Sequence, residues 1–151
     1  MASTPESFEI TKRRHDEAER ERRQALSRVE HYCETGQRHL VIPFIMVNMQ
    51  RMPALRRIRL WQLDSVMFHS PRSRAYRTIR QMRELIGDRS HVKDGFTTVG
   101  WALENRDASV RMSTWLYLLL LREKLTKFEL PEGFPYGLLY DNTSDDMSGK
   151  E

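Results

Sequence analysis

The sequence predicts an all-α fold: a compact bundle of about five helices around a hydrophobic central helix at 107–128, with disordered N- and C-terminal tails. Three observations predict it. Apolar residues recur at helical spacing in several separate stretches. Pro43, Pro53 and Pro71 each stand where a helix can begin, because the missing N–H of proline does no harm in a first turn. Trp115-Leu-Tyr-Leu-Leu-Leu-Leu121 is seven apolar residues in succession, a run with no face left for water and so suited to the middle of a core. Seven is well short of the about 20 residues that a membrane span needs, and no membrane span is expected.

Residues 1–10 lack periodicity and contain Pro5; they are expected to be a disordered tail. Residues 11–35 read as a charged helix, with Asp16–Arg20 and Glu19–Arg23 at i,i+4. Its apolar seam comes late, at Ala18, Ala25, Leu26, Val29, Tyr32 and Cys33, and Gly36 offers the stop. The helix is therefore expected to be solvated at its start and docked at its end.

A helical core domain follows over 37–130. The prolines divide it into helices from Pro43 to about Arg51, from Pro53 to Phe68, and from Pro71 to Ile86, the last capped by Ser70 and closed by Gly87-Asp88. Two stretches also suit strands: Leu40–Val47 is short and β-branched, and Arg57–Leu63 alternates in part, so an α+β fold is the alternative. In the third helix Ala75, Ile79, Met82 and Ile86 share one face, and Arg74, Arg77, Arg80 and Arg83 cover the opposite side. A short helix after Gly95 would turn Phe96, Val99 and Leu103 inward. Asp107 is placed to cap the central helix, whose far end carries Arg122, Lys124 and Lys127, where positive charge suits the helix dipole. Residues 131–151 are expected to be an acidic disordered tail.

Charge is unevenly distributed. The net charge is +4, yet residues 35–94 hold 12 basic side chains against 4 acidic ones, and residues 129–151 hold 1 against 6. Twenty of the 25 basic residues are arginine, whose planar fork suits carboxylate and phosphate. Cys33 is the one cysteine, which excludes an internal disulfide and fits a reducing compartment, with cytoplasm as the default and the nucleus as the alternative.

The patterns that carry catalysis are missing. No glycine-rich phosphate loop and no nucleophile elbow occurs. His31, Cys33 and His39 resemble a metal cluster only loosely, since the first two point to different sides of a helix and no fourth ligand is near. Asp64, Glu84, Glu104 and Asp107 stand beside arginines and are expected in salt bridges. The expectation is a protein that is not an enzyme and has no cofactor or metal. Trp61, Phe68, Trp101 and Trp115, with Met46, Met49, Met52, Met67, Met82 and Met112, are expected mainly in the core, the alternative being an adaptable partner-binding groove. What remains is a surface: Arg56, Arg57 and Arg59 with Arg74, Arg77, Arg80 and Arg83, and Tyr76 among them, as a partner-binding face. The partner expected there is a protein; the alternative is RNA or DNA bound without sequence preference, with Tyr76 stacking on a base.

Val41-Ile-Pro-Phe-Ile-Met-Val47 and Arg111-Met-Ser-Thr-Trp-Leu-Tyr-Leu-Leu-Leu-Leu121 resemble the apolar helices of the small C accessory proteins of paramyxoviruses. That resemblance implies a non-catalytic protein that binds host or polymerase factors. The mixed-charge N-terminal third and the Arg helix at 72–83 depart from the pattern.

Overall fold

Proline and glycine punctuate the folded chain much as they punctuate the sequence. The structure is a computed structural model that describes residues 4–105 and 108–125. Helix α1 (Pro5–Glu34) has Pro5 in its first turn and Glu6 beside it, both favourable at a helix N-terminus. It thus begins ahead of Thr11, and residues 5–10, expected to be unstructured, are its opening turns. Gly36, at φ 73°, ends it: the Gln37 amide donates to the Tyr32 carbonyl at 2.7 Å, a left-handed closure that glycine adopts freely. Of the anticipated ion pairs along α1, Arg23–Glu19 forms at 2.9 Å. Ala25 and Val29 are its buried residues.

Helix α2 (Val41–Asn48) settles the first ambiguous stretch in favour of helix. It starts two residues before Pro43, which then occupies the first turn, where its lack of an N–H leaves no bond unmade. The helix expected from Pro53 to Phe68 is instead divided. A 3-10 turn spans Pro53–Arg57, Ile58 and Arg59 are extended, and helix α3 covers Leu60–Phe68. The break lets Arg59 pair antiparallel with Thr98 in an isolated bridge, through Leu60 N–H to Thr97 O and Val99 N–H to Ile58 O, both 2.9 Å. Ile58 and Leu60 are buried on either side of the outward Arg59, so the alternation near Arg57 is real but local. No strand forms among the described residues, and the fold is all-α.

Helix α4 (Arg72–Leu85) buries Ala75, Thr78, Ile79 and Met82. Its N-cap is Pro71, and no side chain caps it; the Ser70 hydroxyl, expected there, donates to Asp64 Oδ1 at 2.8 Å instead. A 3-10 turn at Asp94–Phe96 leads to the single turn α5 (Val99–Ala102), capped by the Thr98 hydroxyl. Val99 and Ala102 face the core, whereas Phe96 is 59% exposed, contrary to its expected inward place.

Helix α6 (Ser109–Arg122) carries the long apolar run. Trp115 and Leu119 are buried, but Tyr117, Leu120 and Leu121 are 44%, 41% and 38% exposed. The helix therefore lies on the flank of the core, and the axial position expected for it is corrected. Packing runs from α1 to α3, from α3 to α4 and from α4 to α6, with one apolar cluster shared by α1 through α6. Helix α6 ends at Arg122, short of Phe128, where Lys124 turns left-handed at φ 56°. Asp107, the C-terminal end expected for this helix and the acidic tail lie outside the described residues. No helix among the described residues is long and apolar enough to cross a membrane.

Candidate interaction surface

From Arg51 to Arg83 the chain holds nine arginines and a single acid, Asp64. Asp64 has no exposed surface, so this region offers no carboxylate of its own to the outside. The nine arginines divide into those the fold consumes and those it leaves over.

Arg83 is consumed. Its Nε donates to Asp88 Oδ2 at 2.9 Å, Nη1 to Asp94 Oδ1 at 3.1 Å and Nη2 to the Ser90 carbonyl at 2.7 Å, which fastens the 86–94 loop to the end of α4. Burial opposes the charge on Asp88. The Ser90 hydroxyl and amide, with Arg83, outweigh that and hold its carboxyl below the usual range. Arg80 meets the other oxygen of Asp94 at 3.3 Å, and Arg74 reaches Glu123 at 3.2 Å. These three, assigned by sequence to a binding face, are tied to the protein's own carboxylates.

The buried acid is met from elsewhere. Arg122, 58 residues away, grips both oxygens of Asp64 at 2.8 and 2.6 Å and also donates to Thr78 and Ser70, each at 3.0 Å. Its Nε donates to Glu123 at 2.8 Å. Hydrogen bonding to Asp64 outweighs desolvation and raises the Arg122 pKa. Arg122 thus joins α3, α4 and α6 rather than serving mainly as a charge at a helix end. Glu104 pairs with Arg111 at 3.2 Å. Glu84 has no ion pair among the described residues.

Among the described residues no carboxylate pairs with Arg51, Arg56, Arg57, Arg59, Arg72 or Arg77. Two of them lie on rings: Arg72 is 4.3 Å from the centre of Trp61 and Arg59 is 4.8 Å from that of Phe96. Tyr76 meets Trp61 edge-to-face at 6.4 Å. Its hydroxyl lies so close to Gly95 that a Cβ there would stand 2.7 Å away. The result is a connected patch, Arg72–Trp61–Tyr76–Gly95–Phe96–Arg59, spanning α3, α4 and the 3-10 turn Asp94–Phe96. Tyr76 is half-buried within this patch.

Six guanidinium–ring contacts occur among the described residues, where a chain of this size ordinarily has about two energetically significant ones. The remaining arginines of the expected face do not join the patch as one stripe. Arg77 is exposed on α4. Arg57 lines a cleft of about 610 Å³ against α1, with Arg14, His15, Glu17 and Glu21. Arg56 is exposed, and its backbone carbonyl is pressed against Gly100.

Sequence reasoning did not group Trp61, Phe96 or Asp94 with the arginines of this surface. One signal was present: Phe96 follows a glycine at the end of a polar loop, a setting in which an aromatic side chain is readily left outside.

His31 and His39 are exposed and Cys33 is half-buried. Burial raises the Cys33 thiol pKa, with the nearby Arg38 cation acting against it. Among the described residues no group of three or more His, Cys, Asp or Glu side chains is arranged to hold a metal ion.

These features define an all-α protein with an arginine–aromatic surface. Comparison with protein-family models, with curated proteins and with solved structures finds no match to the chain. The paramyxovirus resemblance gains no support from them, and function must be argued from the surface itself.

Proposed function

We propose that the protein is a non-enzymatic helical accessory protein that binds an acidic segment of a partner protein through the Arg59–Phe96–Trp61–Tyr76–Arg72 patch. The observation that carries this reading is that Arg59 and Arg72 are stacked on rings while no carboxylate among the described residues pairs with them. A stacked guanidinium has lost much of its rotamer freedom before binding, so less is lost when it meets a carboxylate. Its N–H edges remain suited to bidentate contact. Tryptophan, tyrosine and arginine are also the residue types that dominate binding energy at protein interfaces.

The test is capture of partner proteins by the full chain and by an Arg59→Glu/Arg72→Glu variant, with Arg13→Glu/Arg14→Glu on α1 as control. Partners retained by the control and lost by the patch variant support the reading. Retention of every partner by the patch variant refutes it.

The same unpaired arginines favour a second reading, sequence-nonspecific RNA or DNA binding. Arg56, Arg57, Arg59, Arg72 and Arg77 could neutralise about five phosphates, and affinity would then fall roughly 100- to 500-fold between 50 and 200 mM salt. The stacking arrangement weighs against it, because Arg72 and Arg59 already cover rings on which bases would stack. Fluorescence anisotropy with a labelled oligonucleotide over that salt range separates the two.

A further inference from the structure

A second surface, separate from the arginine–aromatic patch, is an open apolar groove of about 380 Å³. Its walls are Ile42 of α2, Met67 and Phe68 at the end of α3, and Leu116, Leu119 and Leu120 of α6. Met46 and Val47 on α2 and Tyr117 and Leu121 on α6 are exposed as well. Rows at i,i+4, Ile42–Met46 and Leu116–Leu120, give α2 and α6 the ridges against which a third helix packs.

Among the described residues that line the groove, the ionisable ones are Arg38 and His39. The Arg38 guanidinium lies 4.7 Å over the Phe68 ring and near the Cys33 thiol, and among the described residues no carboxylate pairs with it. An apolar floor with an unpaired, oriented cation at its edge complements an amphipathic helix that carries an acidic residue beside its apolar stripe. The i,i+4 rows on both walls suit a helical segment better than a small amphiphile, which has no side-chain ridge to set between them.

We infer that this groove between α2 and α6 docks an acidic amphipathic helix of a partner protein, with a carboxylate of the partner on Arg38. The probe is a labelled synthetic peptide of about five helical turns, with leucines at i, i+3, i+4 and i+7 and glutamates over the rest, set beside an otherwise identical peptide with lysines. Titrated into the full chain, the glutamate peptide should bind roughly tenfold or more tightly than the lysine peptide. Leu120→Glu, at a position 41% exposed in the folded chain, should abolish binding of the glutamate peptide with the helical circular-dichroism signal unchanged. Arg38→Glu should reverse the order of the two peptides, a readout that a misfolded variant could not produce.

Arg72→Glu on the other surface should leave the glutamate peptide's affinity within about twofold; a large loss there would mean that the peptide had bound the arginine patch, and would overturn the inference. Equal affinity for the two peptides would also overturn it. So would binding of neither, indifference to Leu120→Glu, or displacement of the peptide by decanoate at equimolar concentration. Self-association of the unliganded chain that Leu120→Glu abolishes would assign the groove to a second copy instead.

Discussion

Removing Arg122 should loosen the packing of α6 against α3 and α4. Its guanidinium makes four hydrogen bonds to Asp64, Thr78 and Ser70, and a fifth to Glu123. Asp64 has no exposed surface. In Arg122→Met the Asp64 carboxylate keeps, of these partners, only the Ser70 hydroxyl. Stranding a buried charge in this way costs about 3–5 kcal/mol, against a total stability of roughly 5–15 kcal/mol for a domain of this kind. The midpoint of thermal unfolding should drop by about 10–20 °C. The reverse change is milder, because Arg122 is 15% exposed and retains Glu123; Asp64→Leu should cost about half as much or less. The double variant Asp64→Leu/Arg122→Met leaves no stranded charge and should recover most of the loss. Urea unfolding followed by circular dichroism and by tryptophan fluorescence, reported by the buried Trp115 among others, measures all three. A loss below about 1 kcal/mol in Arg122→Met, or a double variant no better than the worse single one, would refute the reasoning.

Three further outcomes follow from local geometry. Gly100→Ala should destabilise by about 1–3 kcal/mol, since its Cβ would stand 2.9 Å from the Arg56 carbonyl, which is backbone; Gly95→Ala should cost less, because the Tyr76 hydroxyl it meets at 2.7 Å is the end of a side chain that can swing. Unfolding midpoints of the two variants rank them. Asp88, whose carboxyl is held below its ordinary value by Ser90 and Arg83, contributes stability that is present above the unfolded carboxylate pKa of about 3.9 and is lost as pH falls through the lower folded value. In an acid titration of stability, Asp88→Asn should flatten the slope below about pH 4. Leu119→Asp should unfold the domain, because Leu119 is 2% exposed, whereas Leu120→Asp, one residue on and 41% exposed, should fold with a loss of about 1 kcal/mol or less; circular dichroism at 25 °C separates them.

The helical architecture was legible because its signals are local. Pro43, Pro53 and Pro71 lie within the first turn of elements or just before one, Gly36 and Gly87 close helices in the left-handed conformation, and the apolar spacing of α4 buries the residues it designated, Ala75, Ile79 and Met82. The errors arose where a local signal had two readings. Alternation around Ile58 reflects a two-residue extended pair with Thr97–Thr98, too short to be a strand yet sufficient to split a helix. The run Trp115–Leu121 suggested burial on every side, but periodicity cannot tell an axial helix from one that shows its apolar outer face to the surface. Ser70 had the chemistry of an N-cap and was drawn away by Asp64, an acid six residues earlier whose burial nothing in the sequence announced.

The candidate site was less legible, for a related reason. Arginines at every third position of a helix specify a face, but not which of them will meet an acid brought in by another element. Arg74, Arg80 and Arg83 look equivalent to Arg77 in the sequence. Glu123, Asp94 and Asp88 come from other segments and neutralise the first three, leaving Arg77. The same long-range selection makes Arg59 and Arg72 the candidates for binding, since what approaches them is Phe96 and Trp61 rather than a carboxylate. A ring orients a guanidinium without discharging it. An arginine paired within the fold contributes to stability and presents little net charge to a partner, while an arginine stacked on a ring keeps its full charge in a fixed direction. The proposed binding face is therefore better defined by where the rings are than by where the arginines are.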